Sequence, residues 1–359
     1  MRKSAAILFA ALLGLLPSSH SSQAQDAGNF FAGKQIRIIV GTGAGGGYDT
    51  YARLVARHLG QFIPGNPSFA VENMPGASGI KAVNFLYSTA PKDGTVLATF
   101  NNAIPLYQAT GQQGIAFKSE ELSWIGSLTQ TATVIAVMQS AGVKTMEDVK
   151  KKQVILGATG GAGSKVTYPM MINNVLGTKF KIVAGYASSK PVMLAMERDE
   201  VQGDGGNPWS SWHLAKPDWI KEGKLVPLVQ IGLKKEKDIS NVPLITELAA
   251  NDEQRAMFAF ISQPVAIQQP FAGPPGMPAD RLAMFRQAFE RMTKDAAFRA
   301  EVEKSKLDLD PLPGAEVERI ARAVVNTPAN IIQKVQAAMT PKDVGKVTGP
   351  SAGAGGAAE

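Results

Sequence analysis

Two glycine-rich stretches carry the residues best suited to chemistry in this sequence. The first is Gly41-Thr42-Gly43-Ala44-Gly45-Gly46-Gly47, which follows the apolar β-branched run Ile36-Arg37-Ile38-Ile39-Val40. Behind it, Tyr51, Val55, Leu59 and Phe62 keep helical spacing. A buried strand, a glycine loop and a helix start aim unpaired N–H groups and a positive dipole end at one point, which suits an anion. The second stretch is Thr159-Gly160-Gly161-Ala162-Gly163-Ser164, between the run Val154–Ala158 and a helical pattern over Lys165–Leu176. It repeats the same chemistry. A ligand with two carboxylates can bridge two such loops, and each hydrogen bond to a charged group contributes ~1.5–3 kcal/mol.

Individual residues around these loops have defined roles to play. In the first loop Thr42, Gly43, Ala44, Gly45 and Gly46 offer backbone amides and one hydroxyl. In the second, Gly160 and Gly163 offer amides, and Thr159 and Ser164 offer hydroxyls that either meet a ligand or cap the following helix. Asp49 stands at the first helix start, where it caps or braces the loop and meets a ligand only through water or a ligand N–H or O–H. Asn101, Asn102 and Asn207 are neutral amides at strand ends, able to orient a ligand or to hold their loops. Tyr186 either stacks and donates or packs in the core. Trp209 and Trp212 either line a cleft or pack inside a lobe.

The elements needed to hold these loops are legible in order. From 34 to about 132 the chain reads as β/α units, with strands over Ser68–Asn73 and Thr95–Phe100 and a helix carrying Ala82, Val83, Leu86 and Tyr87. Met74-Pro75-Gly76-Ala77-Ser78-Gly79 is a further glycine turn. Several strand ends thus carry Gly or Asn loops on one edge, where parallel α/β sheets bind ligands. From about 133 the pattern restarts. Strands are expected at Val134–Met138, Ile182–Tyr186 and Leu225–Leu233, helices at Thr145–Lys152 and Val192–Glu197, and a loop at Gly203–Asn207 with Asn207 capping a helix that starts at Pro208. Ile261–Ala266 reads as extended. Asp280 opens a helix with Leu282, Phe285, Phe289 and Met292 on one face, and more helices follow near 296–304 and 315–339, the last broken at Pro328.

Composition bounds the function. The 359 residues are 45% hydrophobic and 19% charged, enough core for two ordinary domains. Residues 1–24 combine Arg2 and Lys3, an apolar run from Ala5 to Leu16, and small residues at Ser22-Gln23-Ala24, the pattern of a cleaved secretory signal peptide. Losing Arg2 and Lys3 takes the net charge from +7 to +5. Lys150, Lys151 and Lys152 are the densest basic run and read as a solvated helix end. No stripe of basic residues with interleaved aromatics suggests nucleic acid. The absence of cysteine excludes thiol catalysis and zinc–thiolate sites. The stretch 348–359 has no core-forming residues and reads as disordered tail.

Five segments together resemble the substrate-binding proteins of tripartite tricarboxylate transporters, the TctC/Bug family. They are Ile38–Val40 with Ala44–Asp49 and Ala52-Arg53; Val71–Gly79; Ala90-Pro91-Lys92-Asp93-Gly94-Thr95; Gly161–Ser164; and Gly273–Pro278. The resemblance covers essentially the whole mature chain. It implies an α/β, type II periplasmic-binding-protein fold with two lobes and a central cleft. The chain would cross between lobes near 132 and 263, giving a signal peptide at 1–24, a first lobe from 25–132 and 264–340, a second lobe from 133–263, and a tail at 341–359. It implies a small organic carboxylate ligand, no catalysis, no cofactor or metal, a periplasmic location, a membrane transporter as partner, and a monomer. Departures fall where ligand identity would be set: Gly41-Thr42 after the first strand, Ala187-Ser188-Ser189-Lys190 after Tyr186, and Asp204-Gly205-Gly206-Asn207-Pro208-Trp209 in the later loop.

One enzyme reading competes. Gly41-Thr42-Gly43-Ala44-Gly45-Gly46 also fits G-x-G-x-x-G after a strand, with Glu72 following a second strand, as in a dinucleotide-binding oxidoreductase. Export argues against a diffusible nicotinamide cofactor. A hydrolase lacks its elbow motif and has only His58 and His213 in the mature chain. A phosphate loop fails because Lys165 follows Ser164 and not Gly163.

Overall fold

The apolar run after Lys34 forms strand β1 (Gln35–Val40), and the glycine loop behind it feeds helix α1 (Gly47–His58). A computed structural model describes residues 30–159, 163–186 and 188–340. The expected signal peptide, the tail, Gly160 to Ala162 and Ala187 lie outside the described residues. The chain continues through β2 (Ser68–Asn73), α2 (Ile80–Ser88), β3 (Val96–Thr99), α3 (Ile104–Ala109) and β4 (Ser123–Thr129). It then runs through β5 (Thr133–Met138), α4 (Met146–Lys151), β6 (Val154–Thr159), α5 (Ser164–Leu176), β7 (Phe180–Tyr186), α6 (Ser189–Glu197), β8 (Gly203–Pro208), α7 (Trp209–Ala215), α8 (Pro217–Lys221) and β9 (Leu225–Ile231). The last part holds α9 (Asp252–Ser262), β10 (Gln268–Gly273), α10 (Ala279–Lys294), α11 (Ala296–Lys304), β11 (Leu312–Pro313), α12 (Gly314–Val325) and α13 (Ala329–Ala338).

Two sheets result, in the strand orders β11-β4-β10-β3-β1-β2 and β7-β6-β8-β5-β9. Both are covered on two faces, so their central strands are apolar on both sides. In β1, Ile36, Ile38 and Val40 pack with α1, α10 and α11, while Ile39 faces α2 and α12. In β5, Ile135 and Val137 face one core, and Val134 and Ala136 face another with Trp209, Trp212 and Trp219. This is the two-residue alternation of a strand, used twice.

Strand directions place the loop edges. In the first sheet β1 runs parallel to β2 and β3, and β10 runs antiparallel to both β3 and β4. Strand β4 therefore ends on the same edge as β1, β2 and β3. In the second sheet β6 is parallel to β7 and β8, and β5 is antiparallel to β8 with Thr133 opposite Pro208. The short link from Thr129 to Thr133 thus leaves the carboxyl edge of one sheet and enters beside the carboxyl edge of the other. The return through Gln263–Ala266 ends at Gln268, opposite Thr129. Two crossings side by side make the two loop-bearing edges face each other.

Three expectations need correction. Gly203–Asn207 is not a loop but most of β8, a fully enclosed strand between β6 and β5. Its glycines are there for close approach: a Cβ on Gly205 would lie 2.0 Å from the carbonyl oxygen of Lys165 in α5, and one on Gly203 2.6 Å from that of Ala136. The following helix starts at Trp209 with Pro208 ahead of it, so Asn207 is not its cap. The stretch Ile261–Ala266 is helical, the end of α9 and a short 3-10 turn. Asn251 caps α9 by accepting from the Gln254 amide, and Met257, Phe258, Phe260 and Ile261 bury its inner face. Finally, 264–340 does not all lie with the first sheet. Val335 and Ala338 of α13 join the core of Met171, Ile172 and Phe258, and Asn174 Nδ2 donates to the Ala338 carbonyl at 2.7 Å.

Candidate functional site

The first glycine loop is organised from below by Asp49, which is almost fully buried. Its Oδ2 accepts from the Gly45 amide at 2.8 Å and from Arg53 Nε at 3.0 Å; its Oδ1 accepts from Arg53 Nη2 at 3.0 Å and Asn73 Nδ2 at 2.9 Å. Asn73 Nδ2 also donates to the Thr42 carbonyl at 3.0 Å. Burial pushes the Asp49 carboxyl up, but the Arg53 guanidinium, the Gly45 amide and Asn73 outweigh it and hold it below its ordinary value. Asp49 is thus occupied in bracing the loop. The amides left at the helix start are those of its neighbours Gly46 and Gly47, both exposed, with Gly46 as cap residue. Gly43 and Ala44 are also exposed, and a Cβ on Gly43 would meet nothing within 4 Å.

Two polar atoms beside this loop lack partners among the described residues: Thr42 Oγ1 and Gln269 Oε1. Gln269 follows the second crossing and holds φ of +56°, an uncommon conformation for a side-chain-bearing residue. Its Nε2 would lie 3.5 Å from a Cβ placed on Gly47. No pattern in the sequence singles out Gln269; only the fold brings it to the α1 start.

The strand-end asparagines are structural pegs. Asn102 accepts a long bond from Tyr48 Oη (3.4 Å), gives its amide N–H to the same hydroxyl (3.1 Å), and donates from Nδ2 to the Pro264 carbonyl at 2.9 Å. It therefore ties the first helix to the second crossing. Asn101 Oδ1 accepts from the Ala103 amide at 2.9 Å, ahead of α3. Beside them are Tyr107, whose hydroxyl is pushed up to about 12 by burial, and Tyr48 and Tyr168, raised further for the same reason. All three hydroxyls stay neutral and are donors or acceptors only.

On the second lobe, Thr159 ends β6 opposite Tyr186, and both are half-buried. Helix α5 starts at Ser164 with Gly163 as its cap residue, and among the described residues no side chain caps it. The Tyr186 ring lies over Gly157, where a Cβ would sit 3.5 Å from it, so it packs against the α6 core. Trp209 and Trp212 are buried inside the lobe, with Trp209 Nε1 donating to Asp238. Behind the α5 start lies a feature the sequence does not announce. Lys165 Nζ meets both oxygens of the fully buried Asp204, at 2.7 and 2.6 Å, and Asn207 Oδ1 at 3.4 Å. Asp204 Oδ1 also accepts from the Gly206 amide.

Among the described residues, no group of His, Asp and Glu is placed to hold a metal, and no helix is long and apolar enough to cross a membrane. Glu72, on which the dinucleotide reading leans, is exposed and bound to Arg37 through two bonds of 2.8 and 2.6 Å. The two histidines among the described residues pair with carboxylates away from either loop: His58 with Glu301 and His213 with Asp238.

Two α/β layers joined by adjacent crossings, with glycine-loop edges opposed, define the two-lobed fold of periplasmic binding proteins. Within that class the chain has the fold of a TctC solute-binding protein from Polaromonas, with a TM-score of 0.62 at 19% identity over 84% of this chain and 99% of that one. MatC of Rhodopseudomonas palustris, solved with bound malate, is similar with a TM-score of 0.60 at 17% identity, over 86% of this chain and all of the other. In sequence, a UPF0065 protein of Cupriavidus necator is 25% identical over 334 residues, 90% of this chain and 93% of that protein. No protein-family model matches the sequence. The resemblance to TctC and Bug proteins read from the glycine motifs is borne out by these neighbours along nearly the whole chain.

Proposed function

We propose that this protein is a periplasmic solute-binding protein that holds a small organic carboxylate between its lobes and delivers it to a tripartite tricarboxylate-type membrane transporter. It performs no catalysis. What supports this reading is that helix starts at Gly47 and Ser164 each follow the carboxyl end of a strand, and that the two short links between the sheets run beside those same strand ends. One carboxylate meets the Gly43, Ala44, Gly46 and Gly47 amides with Thr42; the other end meets Gly163, Ser164, Thr159 and Asn207. Asp49, Asn101, Asn102 and Asp204 hold the loops that make these contacts. The malate in MatC supports the ligand class. The lobes run 25–132 with 264–328, and 133–263, with 329–340 strapped onto the second. Residues 1–24 direct export and are removed, and the mature protein acts as a monomer.

The test is mass and ultraviolet analysis of the protein purified from its native periplasm and released from bound material by denaturation. An organic acid, with no absorbance from a nucleotide base, is the expected result. A stoichiometric nucleotide would replace this reading with the dinucleotide one.

A further inference from the structure

Asn207 stands at the carboxyl end of β8 with 3% of its surface exposed. Its Oδ1 lies 3.4 Å from Lys165 Nζ and 3.3 Å from Ser189 Oγ. Its Nδ2 is enclosed and has no partner among the described residues. Oxygen and nitrogen of an amide look alike, so the orientation must come from chemistry. An ammonium has three donors and no lone pair, so the amide atom facing Lys165 has to be the oxygen. Lys165 is itself fixed, because Asp204 takes it from two sides and Asp204 is held in turn by the Gly206 amide. The pair is neutral as a whole. Lys165 cannot serve as a free counter-ion for a ligand, and an enclosed ion pair by itself is weak evidence for stability. What the pair does accomplish is to fix which way the neighbouring amide points.

We propose that Lys165 and Asp204 are positioning residues that orient Asn207 so that its Nδ2 donates to an oxygen of the ligand at the second-lobe end of the cleft. An enclosed amide N–H without an acceptor is costly, and a ligand oxygen removes that cost only when it binds. The second lobe therefore recognises an acceptor-only end, a carboxylate or carbonyl oxygen, by neutral hydrogen bonds and not by an opposite charge. A ligand presenting an amine or amide N–H there meets donors with donors and is rejected. This rests on the carboxylate reading above and specifies how one end of that ligand is read.

The experiment titrates malate, succinate and adipate, each beside its monoamide, into the parent protein, Asn207→Asp, and the double variant Lys165→Met/Asp204→Asn. The double variant leaves no uncompensated buried charge, and circular dichroism verifies its fold. Asn207→Asp replaces a donor by an acceptor. Diacid binding should fall roughly ten- to a hundredfold, and the diacid-to-monoamide preference should move by about tenfold towards the monoamide. A merely structural loss would lower both ligands alike. The double variant should lose about tenfold in diacid affinity while keeping the parent's circular dichroism, because Asn207 is then free to turn. A parent that binds a diacid, with an unchanged preference in Asn207→Asp or unchanged affinity in the folded double variant, overturns the inference alone. A parent that binds none of the acids removes the carboxylate reading and this inference with it.

Discussion

The close seating of α5 on β8 makes a sharp prediction at Gly205. A Cβ there would lie 2.0 Å from the Lys165 carbonyl oxygen and 3.0 Å from its carbonyl carbon. Heavy atoms in good contact sit ~3.5 Å apart, so the methyl of Gly205→Ala is roughly 1.5 Å too close. The obstacle is helix backbone and cannot rotate away as a side chain tip can. β8 cannot retreat either, since β6 and β5 hold it on both sides. Overpacking of a core costs ~1–3 kcal/mol when neighbours can shift, and backbone on both sides puts this case at or above the upper end. Urea unfolding followed by circular dichroism is the assay. A loss of ~3 kcal/mol at a slope of ~3 kcal/mol/M lowers the midpoint by about 1 M. Gly46→Ala is the control: φ there is −83° and the nearest atom is 3.7 Å away, so its stability should stay within about 1 kcal/mol of the parent. If Gly205→Ala also stays within about 1 kcal/mol, α5 does not seat its backbone against β8, and the start of α5 is not held there by that contact.

Further outcomes are expected elsewhere. Asp49 has its folded-state pKa below the ordinary carboxyl value, so its ionised form stabilises the fold above that range, and the contribution is lost as pH falls through it. Asp49→Asn should therefore be less stable than the parent near neutrality, with the gap narrowing as pH falls below the ordinary carboxyl range in acid denaturation curves. Gly46→Asp and Gly163→Asp each place a negative side chain where a ligand carboxylate is proposed, and calorimetry should find binding abolished or nearly so. Ser164→Ala should lose about one to two orders of magnitude in affinity from one bond to a charged group; unchanged affinity with a lowered melting temperature would assign the hydroxyl to the helix start alone. Intact-mass analysis of periplasmic protein should find the chain starting near Gln25; retention of Met1 in a soluble cytoplasmic pool would count against export.

Much of the architecture was legible because its signals are local. β1, β2 and β6, and the helices behind them, follow from apolar runs, glycine loops and helical spacing within a dozen residues. The helix expected over Thr145–Lys152 is α4, and in the structure Thr145 and Asp148 close a capping box at its start. What the sequence hid is non-local. Gly203, Gly205 and Gly206 look like a loop, and become a central strand only because α5 and β5 press against them from distant parts of the chain. Nothing in the sequence pairs Lys165 with Asp204, 39 positions later, which closes on it in the fold. Gln269 acquires its place beside Gly47 only through the second crossing. The same holds for Trp209 and Trp212, whose burial inside the second lobe decides between the two places the sequence left open. Asn101 and Asn102 were recognisable as strand-end amides, yet their use as pegs depends on Tyr48 and Pro264.

The proposed function requires two facing amide loops to clamp an organic carboxylate. Its most direct test is calorimetric titration of the mature protein with malate, succinate, glutarate, adipate and citrate, paired with small-angle scattering at saturation. At least one acid should bind one-to-one, and at 100 times its dissociation constant should stabilise the fold by ~2.7 kcal/mol. The radius of gyration should fall as the lobes close on it. Absence of binding across the panel, or a bound acid that leaves the radius unchanged, would contradict the clamp.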